Sequence, residues 1–137
     1  MENVGEDVVS QSNAIAMPAR ESALTIDEVH LQRMTLGDRS LEREVLEIFA
    51  RQTTMTLERI AGSGPARAAA AAHTLKGSAR GIGAWRVAQA AEWLEHAVAS
   101  EPKGDALMKA INELGAAVTE ACRVIDARLS ERRDGGS

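Results

Sequence analysis

Apolar residues recur along this chain at intervals of three and four, the period of a helix half-buried against its neighbours. Leu41, Val45, Ile48, Phe49, Met55 and Ile60 fall largely on one face and predict a long helix, with Asp38 as its cap. A shorter helix is expected before it, where Thr25-Ile26-Asp27-Glu28 has the spacing of a capping box, and it should stop near Gly37. Gly62-Ser63-Gly64-Pro65 punctuates the chain, and Pro65 suits the first turn of the next helix. That helix should run to about Arg80, burying Ala68, Ala72, Leu75 and Ala79, before Gly81-Ile82-Gly83 breaks it. Val87, Ala91, Leu94 and Val98 mark a fourth helix from Ala84 to about Val98. After a turn at Ser100 to Gly104, Leu107, Ile111, Leu114, Val118, Ala121, Ile125 and Leu129 mark a fifth. No segment alternates with period two for long enough to suggest a sheet. The expectation is an all-α, antiparallel up-down four-helix bundle with a short N-terminal capping helix. Residues 1–22 read as a flexible N-terminal tail, 23–131 as the bundle and 132–137 as a C-terminal tail.

Composition narrows what such a bundle can do. Aromatic residues make up 2% of the chain, too few for a platform on which nucleic-acid bases could stack. The net charge of -4 also argues against a phosphate-backbone partner. One cysteine, Cys122, excludes an internal disulfide and any multi-cysteine metal site; it reads as a small buried or half-buried filler. No apolar stretch has the length of a membrane span, and the N-terminus lacks the basic start and apolar run of a secretory signal. A cytoplasmic location is expected, with no membrane or nucleic-acid partner. His30, His73 and His96 form no paired metal motif, so no metal site is expected. Trp85 and Trp93, two turns apart, read as filler or rim of the bundle rather than a ligand box.

The chemistry lies on the third helix. Successive residues there turn by about 100°, which places His73, Lys76, Gly77 and Arg80 on one stripe with Ala66, Ala69 and Ala70, away from the buried face. An imidazole thus faces solvent beside two cations, with small side chains around it. Gly77 stands inside a helix, where glycine costs about 1 kcal/mol relative to alanine. A free imidazole titrates near about 6.5, so its neutral, nucleophilic form dominates at neutral pH. Phosphoryl transfer needs positioning and charge stabilisation more than covalent help. Lys76 and Arg80 could offset phosphoryl oxygens, and bare Gly77 would let a partner's active site approach. A solvated helix face with an idle histidine has the same spacing, so a bundle that binds partners without being phosphorylated stands as the alternative.

Ala72-His73-Thr74-Leu75-Lys76-Gly77-Ser78-Ala79, followed by Ile82-Gly83-Ala84, Val87, Ala91 and Leu94-Glu95, resembles the signature of histidine phosphotransfer domains. The resemblance covers roughly residues 26–127. It implies a phosphocarrier of two-component phosphorelays, without an ATP-binding kinase domain. Such a protein accepts a phosphoryl group from a receiver-domain aspartyl phosphate and passes it to another receiver. By resemblance, His73 is the acceptor through Nε2, Lys76 faces the phosphate, and Gly77 admits the receiver. Glu95 sits where such domains place a Gln or Glu near the histidine, able to hold the Nδ1 proton. Arg80 and Gly81 depart from the family pattern. The implied partners are receiver domains of a hybrid histidine kinase and of a response regulator, which dock on Gly77, Ala66, Ala69 and Ala70. No cofactor is implied, Mg2+ being expected only on the partner receiver, and the implied state is a monomer. The kinase dimerisation signature is missing, Thr74 and Gly77 standing in its acidic and proline places. Lys76-Gly77-Ser78 is not a phosphate-binding loop either, since the order of its residues is wrong and its amides are used by the helix.

Overall fold

The computed structural model describes residues 25–100 and 104–136, with side chains to residue 130. Among the described residues five helices follow one another: α1 (Glu28–Thr35), α2 (Arg39–Gly62), α3 (Pro65–Ile82), α4 (Trp85–Ser100) and α5 (Asp105–Gly136). Helices α2 to α5 form the expected up-down bundle. Each packs on its chain neighbours, α2 closes the ring against α5, and α1 lies across α2 and α3. No strand occurs among the described residues. The expected tail over residues 1–22 lies outside the described residues.

Helix boundaries follow local chemistry. Asp38 caps α2, its Oδ1 accepting the Leu41 amide at 3.0 Å. Pro65 opens α3 after Gly64. Helix α3 runs two residues past the expected stop and closes in a left-handed turn at Gly83, φ +83°. There the Ala84 amide donates to the Ala79 carbonyl at 2.8 Å. A Cβ on Gly83 would stand 2.9 Å from the Asp27 Cβ, so this turn needs glycine for both conformation and space.

Four expectations need correction. The cap of α1 is Asp27, not Thr25: Asp27 Oδ1 accepts the His30 amide at 3.1 Å, while Thr25 is buried before the helix starts. Second, Leu41, Ile48 and Met55 are 40%, 41% and 50% exposed. The core face of α2 is instead Glu42, Leu46, Phe49, Thr53 and Ile60. Polar residues hold two of these places because each is satisfied there. Glu42 accepts from Arg128 Nη2 of α5 at 3.0 Å, and the Thr53 hydroxyl donates to the Ala50 carbonyl at 3.1 Å. Third, α5 continues to Gly136 where a tail from Arg132 was expected; no breaker interrupts Ser130 to Asp134, and glutamate and arginine sustain a helix. Fourth, α4 starts at Trp85 and ends at Ser100, and its Val98 is only partly buried.

The core otherwise follows the expected stripes. Ala68, Ala72, Leu75 and Ala79 of α3 are buried, as are Val87, Ala91 and Leu94 of α4 and Leu114, Val118, Ala121, Ile125 and Leu129 of α5. The alanines draw α3 and α4 close together, which brings the flanks of these two helices within reach of each other. Cys122 is half-buried, its Sγ 3.8 Å from the Thr53 hydroxyl.

Candidate functional site

The burial of Ala68, Ala72, Leu75 and Ala79 fixes the rotation of α3, and His73 consequently stands outward with its side chain 72% exposed. Ala66, Ala70, Gly77 and Arg80 are exposed on the same side, and Ala69 is half-buried. A Cβ on Gly77 would meet nothing within 4 Å, so packing gives no reason for a glycine. Neither the α4/α5 cavity beside Trp93 nor the α2/α5 cavity beside Cys122 includes His73, which stands on an exposed helix face.

Across the α3/α4 groove, Glu95 joins the two chemically distinctive residues of the stripe. Its Oε2 is 2.8 Å from His73 Nδ1, and its Oε1 is 2.7 Å from Lys76 Nζ. Glu95 and Lys76 are mostly covered, with side chains 24% and 16% exposed. Burial is the largest single effect on the Glu95 carboxyl and opposes ionisation. Hydrogen bonds from Lys76 and His73 and their charges outweigh it, holding the group below its ordinary range. Glu95 is therefore a carboxylate near neutral pH and can only accept hydrogen bonds. It follows that His73 Nδ1 carries a proton and donates it to Oε2. In the neutral ring, Nε2 then bears the lone pair.

Arg80 does not join this cluster. Its Nη2 pairs with Glu92 Oε1 at 3.6 Å, one turn further along the same groove. Both cations of the stripe are thus held by carboxylates of α4. Glu92 escapes a reading confined to α3. The one sequence signal for it is its place three residues before Glu95 on α4, which sets both carboxylates on one side of that helix.

A family model for the Hpt domain matches residues 44–128, more than half of the chain and all of the helix pair that carries the site. The chain belongs to the Hpt domain family. An Hpt domain is a histidine phosphotransfer module of two-component phosphorelays, a phosphocarrier that interacts with receiver domains. Comparison with curated proteins and with solved structures gives no match. The Hpt match includes His73, Lys76, Gly77 and Glu95 as well as the core residues Leu46 to Ile60 of α2 and Leu114 to Ile125 of α5. No helix among the described residues is long and apolar enough to cross a membrane. Among the same residues, no three His, Cys, Asp or Glu side chains are grouped to hold a metal ion.

The tryptophans have separate surroundings. Trp85 is 38% exposed and donates from Nε1 to Asp27 Oδ2 at 2.8 Å, the leading cause of a lowered Asp27 pKa. Its ring also meets His30 with centroids 4.9 Å apart, so it ties α1 to the start of α4. Trp93 is 57% exposed on the flank of α4 that faces α5.

Proposed function

We propose that His73 is the phosphoacceptor of this Hpt domain and that Nε2 is the attacking atom. The observation that carries the reading is the Glu95 carboxylate 2.8 Å from Nδ1, which in the neutral ring leaves the lone pair on Nε2 of an exposed side chain. The Nε2 lone pair attacks the phosphorus of a receiver's aspartyl phosphate. A nitrogen–phosphorus bond forms, the aspartyl oxygen–phosphorus bond breaks, and the receiver's carboxylate leaves. Positive charge develops on the ring and is offset by Glu95 through the Nδ1 proton. In the second half-reaction the aspartate of another receiver displaces Nε2, and the neutral ring returns. Mg2+ belongs to the receivers, and no cofactor is needed on this chain. Lys76, anchored by Glu95 one turn from the ring, supplies positive charge for the phosphoryl oxygens. Arg80 is a weaker candidate for that role because Glu92 engages it.

The receiver would settle on the bare surface of Ala66, Ala69, Ala70 and Gly77. Leu41, Ile48 and Met55, spaced seven residues apart, add an apolar rail on α2. The other flank of α2 lines a cavity against α5 with Glu47, Ala50 and Thr54, so the rail lies on the α3 side. The implied partners are the receivers of a hybrid histidine kinase and of a response regulator in a cytoplasmic relay. The test is to add the full chain to a phosphorylated receiver and then to a second, unphosphorylated one. Wild type should take the label and release it, and His73→Gln should do neither. Labelling of His73→Gln at the wild-type rate would overturn the assignment, and no labelling of wild type by any receiver of its organism would favour a binding module.

A further inference from the structure

The flank of α4 opposite Glu92 and Glu95 has no role in the phosphotransfer reading, yet it is shaped. Between α4 and α5 runs a groove with a floor of alanines, among them Ala90, Ala97, Ala110 and Ala117. Trp93 stands in the middle of it, lining the cavities on either side while leaving more than half of its own surface to solvent. The cavity toward the α4–α5 turn holds about 320 Å³, room enough for an indole; its lining is Trp93, Ala97, Ser100, Ala106 and Ala110, together with His96 and Lys109. A knob and a hole of matching chemistry thus lie side by side on one surface, as an isologous contact requires.

We propose that this groove is the contact surface of a homodimer, in which Trp93 of each copy fills the cavity beside Trp93 of the other. Charge supports a second copy as the occupant. Lys109 and Glu113 lie one turn apart on the α5 wall of the groove. A twofold axis midway between them, crossing α5 near Ile111, sets Lys109 against Glu113 of the partner subunit, and the converse, giving two opposite-charge pairs. In the α4/α5 hairpin, Trp93 is close to the level of Ile111, so the same axis carries each indole to within a few ångströms of the partner's cavity, at about 1.5 Å of rise per residue. One operation therefore satisfies the aromatic and the charged residues together. The 16 residues of α4 give a face about 24 Å long. Two helices packed about 8–10 Å apart make it about 20 Å wide. About 480 Å² on each copy, about 960 Å² in all, falls short of a standard stable interface, so the dimer is weak and should form only toward high micromolar concentration. His73 sits beyond the opposite flank of α4 and stays open in both copies. The family resemblance implies a monomer, and this surface argues for an association that dilution reverses.

Sedimentation equilibrium of the full chain from low to high micromolar concentration tests the proposal, with acrylamide quenching of tryptophan fluorescence on the same samples. The weight-average mass should rise from the 14.6 kDa of one chain toward twice that value, and quenching should fall with it. Trp93→Ala, Lys109→Glu and Glu113→Lys should each weaken dimerisation at least about tenfold without loss of helicity, since truncated aromatic anchors and like charges at a contact act on that scale. The double variant Lys109→Glu/Glu113→Lys should restore it, which no general effect on folding would do. A single-chain mass at all concentrations overturns the proposal. So does a monomer whose Trp93 becomes quenchable only when residues 1–24 are deleted, since that segment would then be the occupant. A dimer that survives all three single substitutions, or a double variant that stays monomeric, also overturns it. Phosphotransfer to His73 in Trp93→Ala should match wild type, so failure of the dimer is separable from failure of the phosphoacceptor reading.

Discussion

Gly77 sets stability against function at one position. It lies inside α3 with ordinary helical geometry, four residues after His73, and a Cβ there would meet nothing within 4 Å. Alanine should therefore stabilise the bundle by up to about 1 kcal/mol, because it lowers the entropy of the unfolded chain and adds no clash. For a domain of this size that is a rise in Tm of about 4 °C. Glutamine should keep much of the gain, since its side chain also finds open space. Helical side chains lean toward the N-terminus, so a glutamine at 77 would lie over His73. It would hold a receiver's aspartyl phosphate away from Nε2, and a displacement of about 1 Å can cost about a hundredfold in rate. Thermal melts and single-turnover transfer from a phosphorylated receiver, run on Gly77→Ala and Gly77→Gln, decide the matter. A destabilised Gly77→Gln would mean that the glycine serves packing and that the outward face of α3 is misassigned. A stable Gly77→Gln with wild-type transfer would refute the open-approach argument while leaving His73 as a candidate acceptor.

Glu95→Gln should slow transfer by about 10- to 100-fold, the range typical when an orienting partner of a functional histidine is lost, and nitrogen NMR should show a mixture of His73 tautomers. An unchanged tautomer would refute the orienting role. Because the Glu95 pKa is lowered in the fold, its contribution to stability is full above the ordinary value of 4.5 and is lost as pH falls through the lower folded value. Acid titration of stability should accordingly be shallower below that point in Glu95→Gln than in wild type. Lys76→Ala should slow transfer or shorten the lifetime of the phosphorylated form while helicity holds, and unchanged kinetics would return Lys76 to a purely structural ion pair. Arg128→Met should cost about 3 kcal/mol in chemical denaturation, since it takes one partner from Glu42, which is 3% exposed. A loss below about 0.5 kcal/mol, the scale of surface substitutions, would show that this buried pair is not what holds α5 to α2.

Much of the bundle is legible in the sequence because α3 and α5 are patterned by apolar residues alone. Their buried stripes follow from spacing, and the outward face of His73 follows from the stripe. On α2 the same rule misleads. Glu42 and Thr53 occupy core positions, and a reading that counts only apolar residues rotates the face toward Leu41, Ile48 and Met55. The missing information is tertiary, since Arg128 of α5 supplies the partner that lets a carboxylate be buried there. Thr25 fails as a cap for a local reason: Asp27, two residues later, offers a carboxylate to the same helix and is held by the Gly83 carbonyl and the Trp85 indole. At the site, the acceptor stripe is visible as a periodicity, but the engagement of Lys76 and Arg80 by Glu95 and Glu92 needs the register of α3 against α4.

The claim that carries the rest is that phosphorus bonds to Nε2 of His73. Phosphorus–nitrogen coupling in NMR spectra of the histidine-labelled protein, recorded after phosphorylation by a receiver, measures that bond itself. The account predicts a single coupled nitrogen, Nε2 of His73, with Nδ1 still protonated and no coupling in His73→Gln. Coupling to Nδ1, to His30 or to His96, or a stable phosphoryl group on a residue other than histidine, would contradict it.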